Sequence, residues 1–464
     1  MPPEEMPVMN PSFYEPPRQP EGVPWRSDLA PQRSQAITAT MIPLVVLCTR
    51  FRIYEGLWFN DFLVVGLAVY LMARYKVLSP RLARFARLSG FFAAFAIVHS
   101  LLLCSVETAR TATLLNNAAR IASVWFCTFA FARAYSEMTP DTALSGLRRA
   151  ACVLAISVVI HSLALNGVLP LPHSLVVLDR FDEGMLTREI ARGGTVRAFG
   201  MASEPYWAAA YLMWIGCLTF LASERARIRS QVLLALISLL TLAGSLVIFL
   251  PVWLVTIAAR RFKPKTVLAS TALGAAIVFL AFQLDAGRQL SARIQNAIAA
   301  GDSSTNVRTG ASVRSVIATF LDRPLVGYGL GNADRAADAG YEYVSNPRLT
   351  SDGMENFSGI AFVEAFACLG VPGLIFFFLI LLHAIRSNAA WRLQLLYAFC
   401  LLAVANAYLI THVQFFYFCL LGQVLLFQPQ LDVYSYMTPA GIRGPLAGRS
   451  REQAVSVPRP AQVP

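Results

Sequence analysis

Residues 358–384 read SGIAFVEAFACLGVPGLIFFFLILLHA, and this stretch sets the class of the protein. It holds one charged residue, Glu364, in a run longer than the about 20 apolar residues that a helix needs to cross a bilayer. Further apolar segments, several of them shorter, lie near residues 36–49, 57–73, 88–105, 112–132, 148–166, 205–222, 230–243, 245–259, 266–282, 393–411 and 413–428. The sequence therefore predicts an all-α polytopic membrane protein with about twelve transmembrane helices.

The composition agrees with this class. Of 464 residues, 56% are hydrophobic and 14% are charged, whereas soluble domains carry about 25% charged residues. The mean hydropathy is +0.54. A water-soluble enzyme and a disordered protein are both excluded by so much apolar content. The eight cysteines lie in or beside apolar runs without metal-ligand spacing, so we interpret them as small buried hydrophobic residues.

Basic residues predict the orientation of the spans. The net charge is +12, but the Lys and Arg residues fall mostly in short loops, which favours membrane topology over nucleic-acid binding. Seventeen of them lie in short loops on the side of the amino terminus and three in the opposite short loops. We therefore expect both termini to be cytoplasmic, the bilayer to be a partner and nucleic acid not to be one.

The chain divides into three parts. Residues 1–35 are predicted to be a disordered Pro-rich cytoplasmic leader, 36–428 the membrane domain, and 429–464 a disordered cytoplasmic tail. Two long connections, 167–204 and 283–357, fall on the outer side. Connections of this length are usually functional or disordered.

The second outer loop precedes the predicted tenth span and should contain helices of its own. Its stretch GASVRSVIATFL, at residues 310–321, has apolar residues at helical spacing. We predict a helix here that lies on or near the membrane face.

The first outer loop ends in RGGTVRAFGMASEP, at residues 192–205. Glycines let the backbone approach a ligand closely, and the planar guanidinium of Arg suits phosphate. Arg192 and Arg197 are therefore candidates for anion binding. The alternative is a loop that only caps the helix beginning at Pro205, with its arginines at the lipid headgroups.

The second outer loop carries Arg308, Arg314 and the run DRPLVGYGLGN, at residues 322–332, which includes Tyr328. Pro and spaced Gly residues define the backbone of this run, and no strand precedes it, so a dinucleotide fold is not supported. Arginines on the outer side run against the positive-inside tendency, which makes them candidates for anion binding.

The same loop closes with DGMENFSG before a helix, so Glu355 and Asn356 should lie at the membrane face. Partial burial there raises a carboxyl pKa and helps it serve as a base. The alternative for Glu355 is charge complementation of the helix N-terminus. Glu364, about two turns further on, is an intramembrane carboxylate and therefore a functional candidate.

Several polar residues lie within the predicted spans. Arg120 is costly in lipid and should face a cavity. His412 lies at the outer junction of the last two spans. For His99 and His161, which lie in apolar helices, interhelical hydrogen bonds are the simpler reading.

Taken together, these motifs resemble the O-antigen ligase/polymerase superfamily, the Wzy-type enzymes of bacterial surface polysaccharide assembly. The resemblance covers roughly 36–428. It rests on twelve helices with a long outer loop before the tenth, on RAFGMASEP at 197–205, on the stretch from Arg308 through residue 332, and on GIAFVEAFACLGVPG at 359–373.

The resemblance implies an enzyme of the bacterial inner membrane whose active site faces the periplasm. Such enzymes take a glycan from polyprenyl diphosphate and transfer it to an acceptor hydroxyl, on a lipid-linked repeat unit in polymerases or on lipid A-core in ligases. A chain-length regulator or export protein is a further expected partner. Relatives often carry His-Asn where this chain has Glu355-Asn356, and that departure favours a polymerase making exopolysaccharide, capsule or O-antigen.

Site roles follow from the same resemblance. Arg197 and Arg308 should neutralise the leaving diphosphate, so neither metal nor cofactor is expected. Glu355 is the expected base, and His412 its competitor. Weaker substrate-binding candidates are Arg314, Arg120, Arg192, Tyr328, Asn356 and His412. A transporter or flippase of lipid-linked glycan remains the alternative of a different class, although the chain shows no internal repeat.

Overall fold

The computed structural model describes residues 32–49, 52–54, 57–106, 111–170, 198–202, 205–222, 228–241, 250, 253–254, 303–344, 361–386 and 413–426. The predicted leader before residue 32, the predicted tail and the spans predicted at 266–282 and 393–411 lie outside these residues, as does most of the span predicted at 245–259. The count of twelve spans therefore stays a prediction.

Helices make up nearly all of the described secondary structure. In chain order they are α1 Gln32–Leu47, α2 Phe59–Arg74, α3 Pro80–Val106, α4 Thr111–Ser136, α5 Pro140–Leu165, α6 Pro205–Ala222, α7 Ile228–Leu239, α8 Ser303–Asp322, α9 Ala333–Ala339, α10 Ala361–Ile385 and α11 Val413–Leu425. A short 3₁₀ helix, Gly340–Tyr343, follows α9.

One two-stranded ribbon departs from the all-α prediction. Strands β1, Arg52–Tyr54, and β2, Leu57–Trp58, pair antiparallel between α1 and α2. The sequence RIYEGLW places aromatic and aliphatic residues on both sides of a Glu-Gly pair, and that pattern favours a short hairpin.

Four described helices are long and apolar enough to cross a membrane: Pro80–Leu103, Pro140–Leu165, Pro205–Ala222 and Phe362–Ile385. Shorter apolar helices are Ser34–Leu47, Ser230–Leu239 and Val413–Leu425. The chain is a helical membrane protein, as predicted.

Two helices begin eight residues earlier than the apolar segments suggested. Helix α3 begins at Pro80 rather than near residue 88, and α5 begins at Pro140 rather than near residue 148. Proline is well placed in a first helical turn, because its missing N–H would have no partner there. The added turns of α3 carry Arg81, Arg84 and Arg87, whose long side chains can reach the headgroups from a helix that continues into the membrane.

Helices α6 and α11 form the centre of the described bundle. All 13 residues of α11 are buried, and so are 15 of the 18 residues of α6. Their contact includes the rings of Trp214 and Phe418, whose centroids lie 4.1 Å apart. Around them, α2, α3, α5 and α10 expose large apolar side chains such as Phe62, Phe91 and Ile156, as expected for helices that face lipid.

Contacts between helix ends define the two ends of the bundle. Gln414, in the first turn of α11, donates to the Val46 carbonyl in the last turn of α1. At the other end of α11, Gln423 accepts from Arg81 in the first turn of α3. The carboxyl ends of α1 and α3 and the amino end of α11 therefore lie at one end of the bundle, which we call the loop end.

The opposite end, which we call the basic end, carries a cluster of Lys and Arg residues. The Glu137 carboxylate accepts backbone N–H bonds from Lys76 and Val77 there, at 3.0 and 3.1 Å. The described basic residues at this end are Arg74, Lys76, Arg81, Arg84, Arg87, Arg133, Arg148, Arg149 and Arg386. These are residues that the sequence assigned to one side of the membrane.

Helix α10 is broken where the sequence predicted a continuous span. Gly370 has φ 65° and ψ −160°, a conformation outside the helical region. The N–H of Val371 is turned away from the helix and donates to the Pro324 carbonyl at 2.8 Å. Pro372 has no N–H, so the break also frees the carbonyls that normally pair with residues 371 and 372.

Both freed carbonyls find partners on the segment after α8. The Ala367 carbonyl accepts from the N–H of Tyr328, and the Cys368 carbonyl from the N–H of Gly329, each at 2.8 Å. An irregular backbone at membrane depth is tolerated when protein groups satisfy it in this way. These three hydrogen bonds join α10 to the outer segment.

Gly370→Ala should destabilise the protein. Only glycine readily adopts the conformation of residue 370, and other residues cost about 1–3 kcal/mol there. An added Cβ would also meet the Leu325 carbonyl carbon at 2.6 Å and the Pro324 carbonyl oxygen at 2.7 Å. We expect a lower melting midpoint of the detergent-solubilised protein, measured by loss of the monodisperse peak in size-exclusion chromatography after heating.

Gly66→Ala in α2 is the matched control, because a Cβ at residue 66 meets nothing within 4 Å. Alanine is also the better helix former by about 1 kcal/mol, so this variant should melt at or above the wild-type temperature. Equal melting of the two variants would contradict the role given to Gly370.

Candidate functional site

The Gly-rich loop, residues 323–332, lies against the break in α10. Gly327 has φ 68°, and a Cβ there would approach the Cys368 carbonyl carbon to 2.7 Å. A side chain at this position would separate the loop from α10 and remove the bonds just described. Gly327, one of the three spaced glycines that predicted a defined backbone, thus allows the loop to pack closely against α10.

Two polar side chains from helices of the bundle hold the same loop. His99 of α3 donates from Nε2 to the Val326 carbonyl at 2.6 Å, since a carbonyl can only accept. Asn117 of α4 donates from Nδ2 to the Leu330 carbonyl at 3.4 Å. The Gly-rich loop is therefore attached to α3, α4 and α10.

Residues 198–202, the second described loop, are fixed by α5. The N–H groups of Phe199 and Gly200 both donate to His161 Nδ1, each at 3.2 Å. Nδ1 must therefore carry no proton. The edge-on ring of Phe199 also packs against the imidazole, with centroids 4.5 Å apart.

Two further bonds complete this attachment. The N–H of Met201 donates to the Ser157 hydroxyl at 3.2 Å, and the Met201 carbonyl accepts from the N–H of Thr49 at 3.1 Å. Thr49 follows the carboxyl end of α1, so the 198–202 loop lies at the loop end. His99, near the carboxyl end of α3, places the Gly-rich loop there as well.

Helices α8 and α9 form a small unit beside the Gly-rich loop. Arg314 is 3% exposed, and its Nε donates to the Ala337 carbonyl at 3.1 Å. Its guanidinium carbon lies 3.9 Å from the centroid of the Tyr341 ring. The structure thus uses Arg314 in packing, and its predicted contact with substrate stays a prediction.

Arg120 lies three residues beyond Asn117 on α4. Its side chain is half-buried, and among the described residues its buried Nη2 atom has no hydrogen-bond partner. A guanidinium nitrogen in this condition can receive an anionic oxygen without first losing another bond. This geometry favours the predicted role of Arg120 in substrate binding.

Tyr328 is a buried residue of the Gly-rich loop. Its hydroxyl donates to the Asp322 carboxylate at 2.7 Å, and the Arg323 guanidinium lies 5.1 Å from its ring centroid. The hydroxyls of Tyr343 and Tyr328 hold the pKa of the Asp322 carboxyl below its ordinary value, and nearby Arg323 adds to this effect. The Tyr328 hydroxyl is thus engaged within the unit.

Glu364 is buried in the first turn of α10, at the loop end. The next turn carries Cys368, whose backbone carbonyl accepts from the N–H of Gly329. The predicted intramembrane carboxylate therefore lies less than two turns before the break at Gly370 that receives the Gly-rich loop.

Five predicted site residues lie outside the described residues: Arg192, Arg197, Glu355, Asn356 and His412. Arg197 immediately precedes Ala198 of the anchored loop, and His412 precedes the first residue of α11 at the loop end. Arg308 lies near the start of α8. Within the described residues no three His, Cys, Asp or Glu side chains could hold a metal ion, and metal independence stays a prediction.

The sequence did not predict which groups two histidines bind. His99 and His161 were read as interhelical bonding residues, but each bonds the backbone of a loop that carries candidate residues. A usable signal existed for His161, which lies in the outer part of α5, the helix that leads into the first long loop. His99 lies in a helix followed by a short connection, so its position gave no such signal.

The described structure defines a helical membrane protein with two anchored loops at one end and a broken helix beneath one of them. Residues 230–378 match the family model described as O-antigen ligase, which confirms the predicted resemblance to the O-antigen ligase/Wzy-type superfamily. The match covers α8, α9, the Gly-rich loop and most of α10. It supports a membrane glycosyltransferase activity of the ligase/polymerase type. No protein of curated function shows significant sequence similarity to the chain.

His161→Ala should loosen the 198–202 loop. It leaves two buried N–H groups without their acceptor, at about 1–3 kcal/mol for each unpaired group. A single such loss corresponds to about 5- to 150-fold more local opening, so trypsin should cleave after Arg197 faster by that factor. The measurement is the rate of appearance of the new terminus at Ala198 by mass spectrometry of the solubilised protein.

Two variants make this test specific. His161→Asn places an amide oxygen near the position of Nδ1 and should restore slow cleavage. His383→Ala, at the basic end, should leave cleavage after Arg197 unchanged. If the alanine and asparagine variants are cleaved alike, His161 does not act through its acceptor atom.

Proposed function

We propose that the chain is a polysaccharide polymerase. It transfers a growing glycan from polyprenyl diphosphate to a lipid-linked repeat unit in the synthesis of exopolysaccharide, capsule or O-antigen. The observation that carries the proposal is the O-antigen ligase match across the Gly-rich loop and α10. The anchoring of both candidate-bearing loops at one end of the bundle supports it.

The reaction needs charge stabilisation more than covalent chemistry. The acceptor hydroxyl oxygen bonds to the anomeric carbon, the bond from that carbon to the diphosphate oxygen breaks, and the diphosphate leaves with the electron pair. Fixed cations around the leaving group lower the barrier because they stabilise charge that develops in the transition state. The hydroxyl proton goes to a base, for which we propose Glu355.

Arg197 and Arg308 are the proposed diphosphate ligands, with Arg120 as a third cation. Arg197 immediately precedes the anchored 198–202 loop, and Arg308 lies near the start of α8, which leads into the Gly-rich loop. Such positions suit the role, because a guanidinium held in place loses little freedom when it binds phosphate in a bidentate manner. Arg192, Tyr328, Asn356 and Arg314 are proposed to contact the remainder of the substrate. The proposed machinery requires no metal ion or cofactor.

The distribution of Lys and Arg between the two ends of the bundle supports an orientation of the protein in its membrane. We propose that the basic end faces the cytoplasm and the loop end faces the periplasm across the bacterial inner membrane. A chain-length regulator or export protein is the proposed protein partner.

A ligase is the second candidate, and the match to the O-antigen ligase family favours it. The replacement of the relatives' His by Glu355 favours the polymerase instead. A flippase of lipid-linked glycan would move the substrate without breaking a bond.

The deciding experiment incubates the purified full chain in lipid vesicles with lipid-linked repeat unit alone, and then with added lipid A-core. Polymer and free polyprenyl diphosphate from the first mixture support the polymerase. Product only after addition of lipid A-core identifies a ligase. Unchanged substrate in both mixtures rejects glycosyl transfer.

Arg197→Lys and Arg308→Lys should each lower the rate of transfer strongly. Lysine keeps the charge but loses the planar fork, and removal of one oriented donor to a developing anion typically costs about 10²–10³ in kcat. The measurement is the release of polyprenyl diphosphate at saturating substrate. Arg87→Lys, on α3 near the basic end, is the matched control and should keep the wild-type rate. Normal rates in both loop variants would assign these arginines to headgroup contact.

Glu355→Gln should lower the rate of transfer by about 10²–10⁴-fold, the usual contribution of a general base. The amide keeps the shape of the side chain, so KM for the donor should change little while kcat falls. Glu355→His should recover part of the rate, since imidazole also accepts a proton. An active Glu355→Gln together with an inactive His412→Ala would transfer the role to His412.

A further inference from the structure

Helix α8 has its polarity reversed relative to a helix in water. Its exposed residues between 310 and 321 are all large and apolar, and they are Val313, Val316, Phe320 and Leu321, while the helix ends at the exposed Asp322. Phe320 is 67% exposed. A helix that faces water places polar residues outward and apolar residues inward.

The inward face of the same helix is polar. Arg314, Ser315 and Thr319 are buried, and each has a partner inside the unit. Arg314 bonds the Ala337 carbonyl, Ser315 bonds the Ala333 carbonyl at 3.2 Å, and Thr319 bonds the Ser315 carbonyl at 2.6 Å. These three polar side chains are bonded to protein while the large apolar side chains lie outside. The buried hydroxyl of Ser312, on the same helix, has no hydrogen-bond partner among the described residues.

The apolar face continues into the membrane bundle. Leu325, 69% exposed, and Val326 follow α8 in the Gly-rich loop. Val326 is bonded to His99, whose helix also exposes Leu102, one turn further on. Pro324, before Leu325, accepts the N–H of Val371, another exposed apolar residue.

The neighbouring helix α9 shows the opposite character. Asp334, Asp338 and Glu342, the last in the following 3₁₀ turn, are exposed and recur every four residues. One side of this unit thus suits water and the other suits hydrocarbon. Contiguous apolar surface of this kind marks a contact with a membrane or a partner, and its continuity with spanning helices decides between them.

We infer that the Val313, Val316, Phe320 and Leu321 face of α8, with Leu325 and Val326, contacts the acyl chains of the bilayer. Helix α8 then lies at the membrane surface with α9 on its aqueous side. A site beside the Gly-rich loop would open toward lipid as well as toward water, so a substrate on a lipid carrier could enter sideways without leaving the membrane. The lipid contact itself does not depend on the reaction proposed above.

The test places the photoreactive residue p-benzoylphenylalanine at Phe320 in the full chain and irradiates native membranes. Tyr343, an exposed aromatic residue of the 3₁₀ helix, is the matched control position. We expect lipid adducts at residue 320, found by mass spectrometry of the peptide, in several-fold excess over those at residue 343. Val316 is the second test position, with the same expected excess.

Adducts with protein at both test positions, from the same chain or another, would overturn the inference. So would the absence of adducts at both, because water then covers the face. Neither outcome affects the proposed glycosyl transfer, which the vesicle assay measures separately.

Discussion

Three backbone hydrogen bonds between the Gly-rich loop and the break in α10 hold the outer part of the protein to its membrane part. Without them, the carbonyls of Ala367 and Cys368 and the N–H of Val371 would be unpaired at membrane depth, and each unpaired group there costs several kcal/mol. The break and the loop are thus mutually required: α10 can bend at Gly370 only because residues 324–329 complete its bonding. This dependence also fixes where α8 and α9 lie, since α8 leads directly into the loop.

A histidine side chain anchors the backbone of each loop, as a hydrogen-bond donor at one loop and as an acceptor at the other. His99 donates to a loop carbonyl, and His161 accepts from two loop N–H groups. A neutral imidazole can do either, depending on its tautomer. In an apolar helix it is therefore an economical way to bind a loop backbone without burying a charge. The two loops come from distant parts of the chain, yet the helices α3 and α5 place them at the same end of the bundle.

Hydropathy and proline positions were enough to predict the helical membrane class, the start of α6 at Pro205 and the helix at 310–321. They could not reveal the break in α10, because a window of composition across residues 358–384 records only its apolar character. The break depends on hydrogen bonds to residues 39 to 47 positions earlier in the chain, although the residues GVPG at 370–373 are a local signal. The two-stranded ribbon escaped notice because five residues in strands carry little periodicity. The proposed roles of Glu355 and Arg197 are based on motif position alone, because both residues lie outside the described structure.

The arginines, which the sequence treated as one group, separate by their surroundings. Arg314 already has a carbonyl and an aromatic ring as partners, so its use by a substrate would require the α8–α9 packing to open first. Arg120 has a buried nitrogen without a partner in the described residues, so binding an anionic oxygen there gains a hydrogen bond and removes none. An unpaired buried donor costs about 1–3 kcal/mol, and a phosphate oxygen that accepted its bond would recover that cost. Arg120 on α4 is therefore better prepared for an anion than Arg314 on α8. Asn117, one turn away on α4, ties it to the Gly-rich loop.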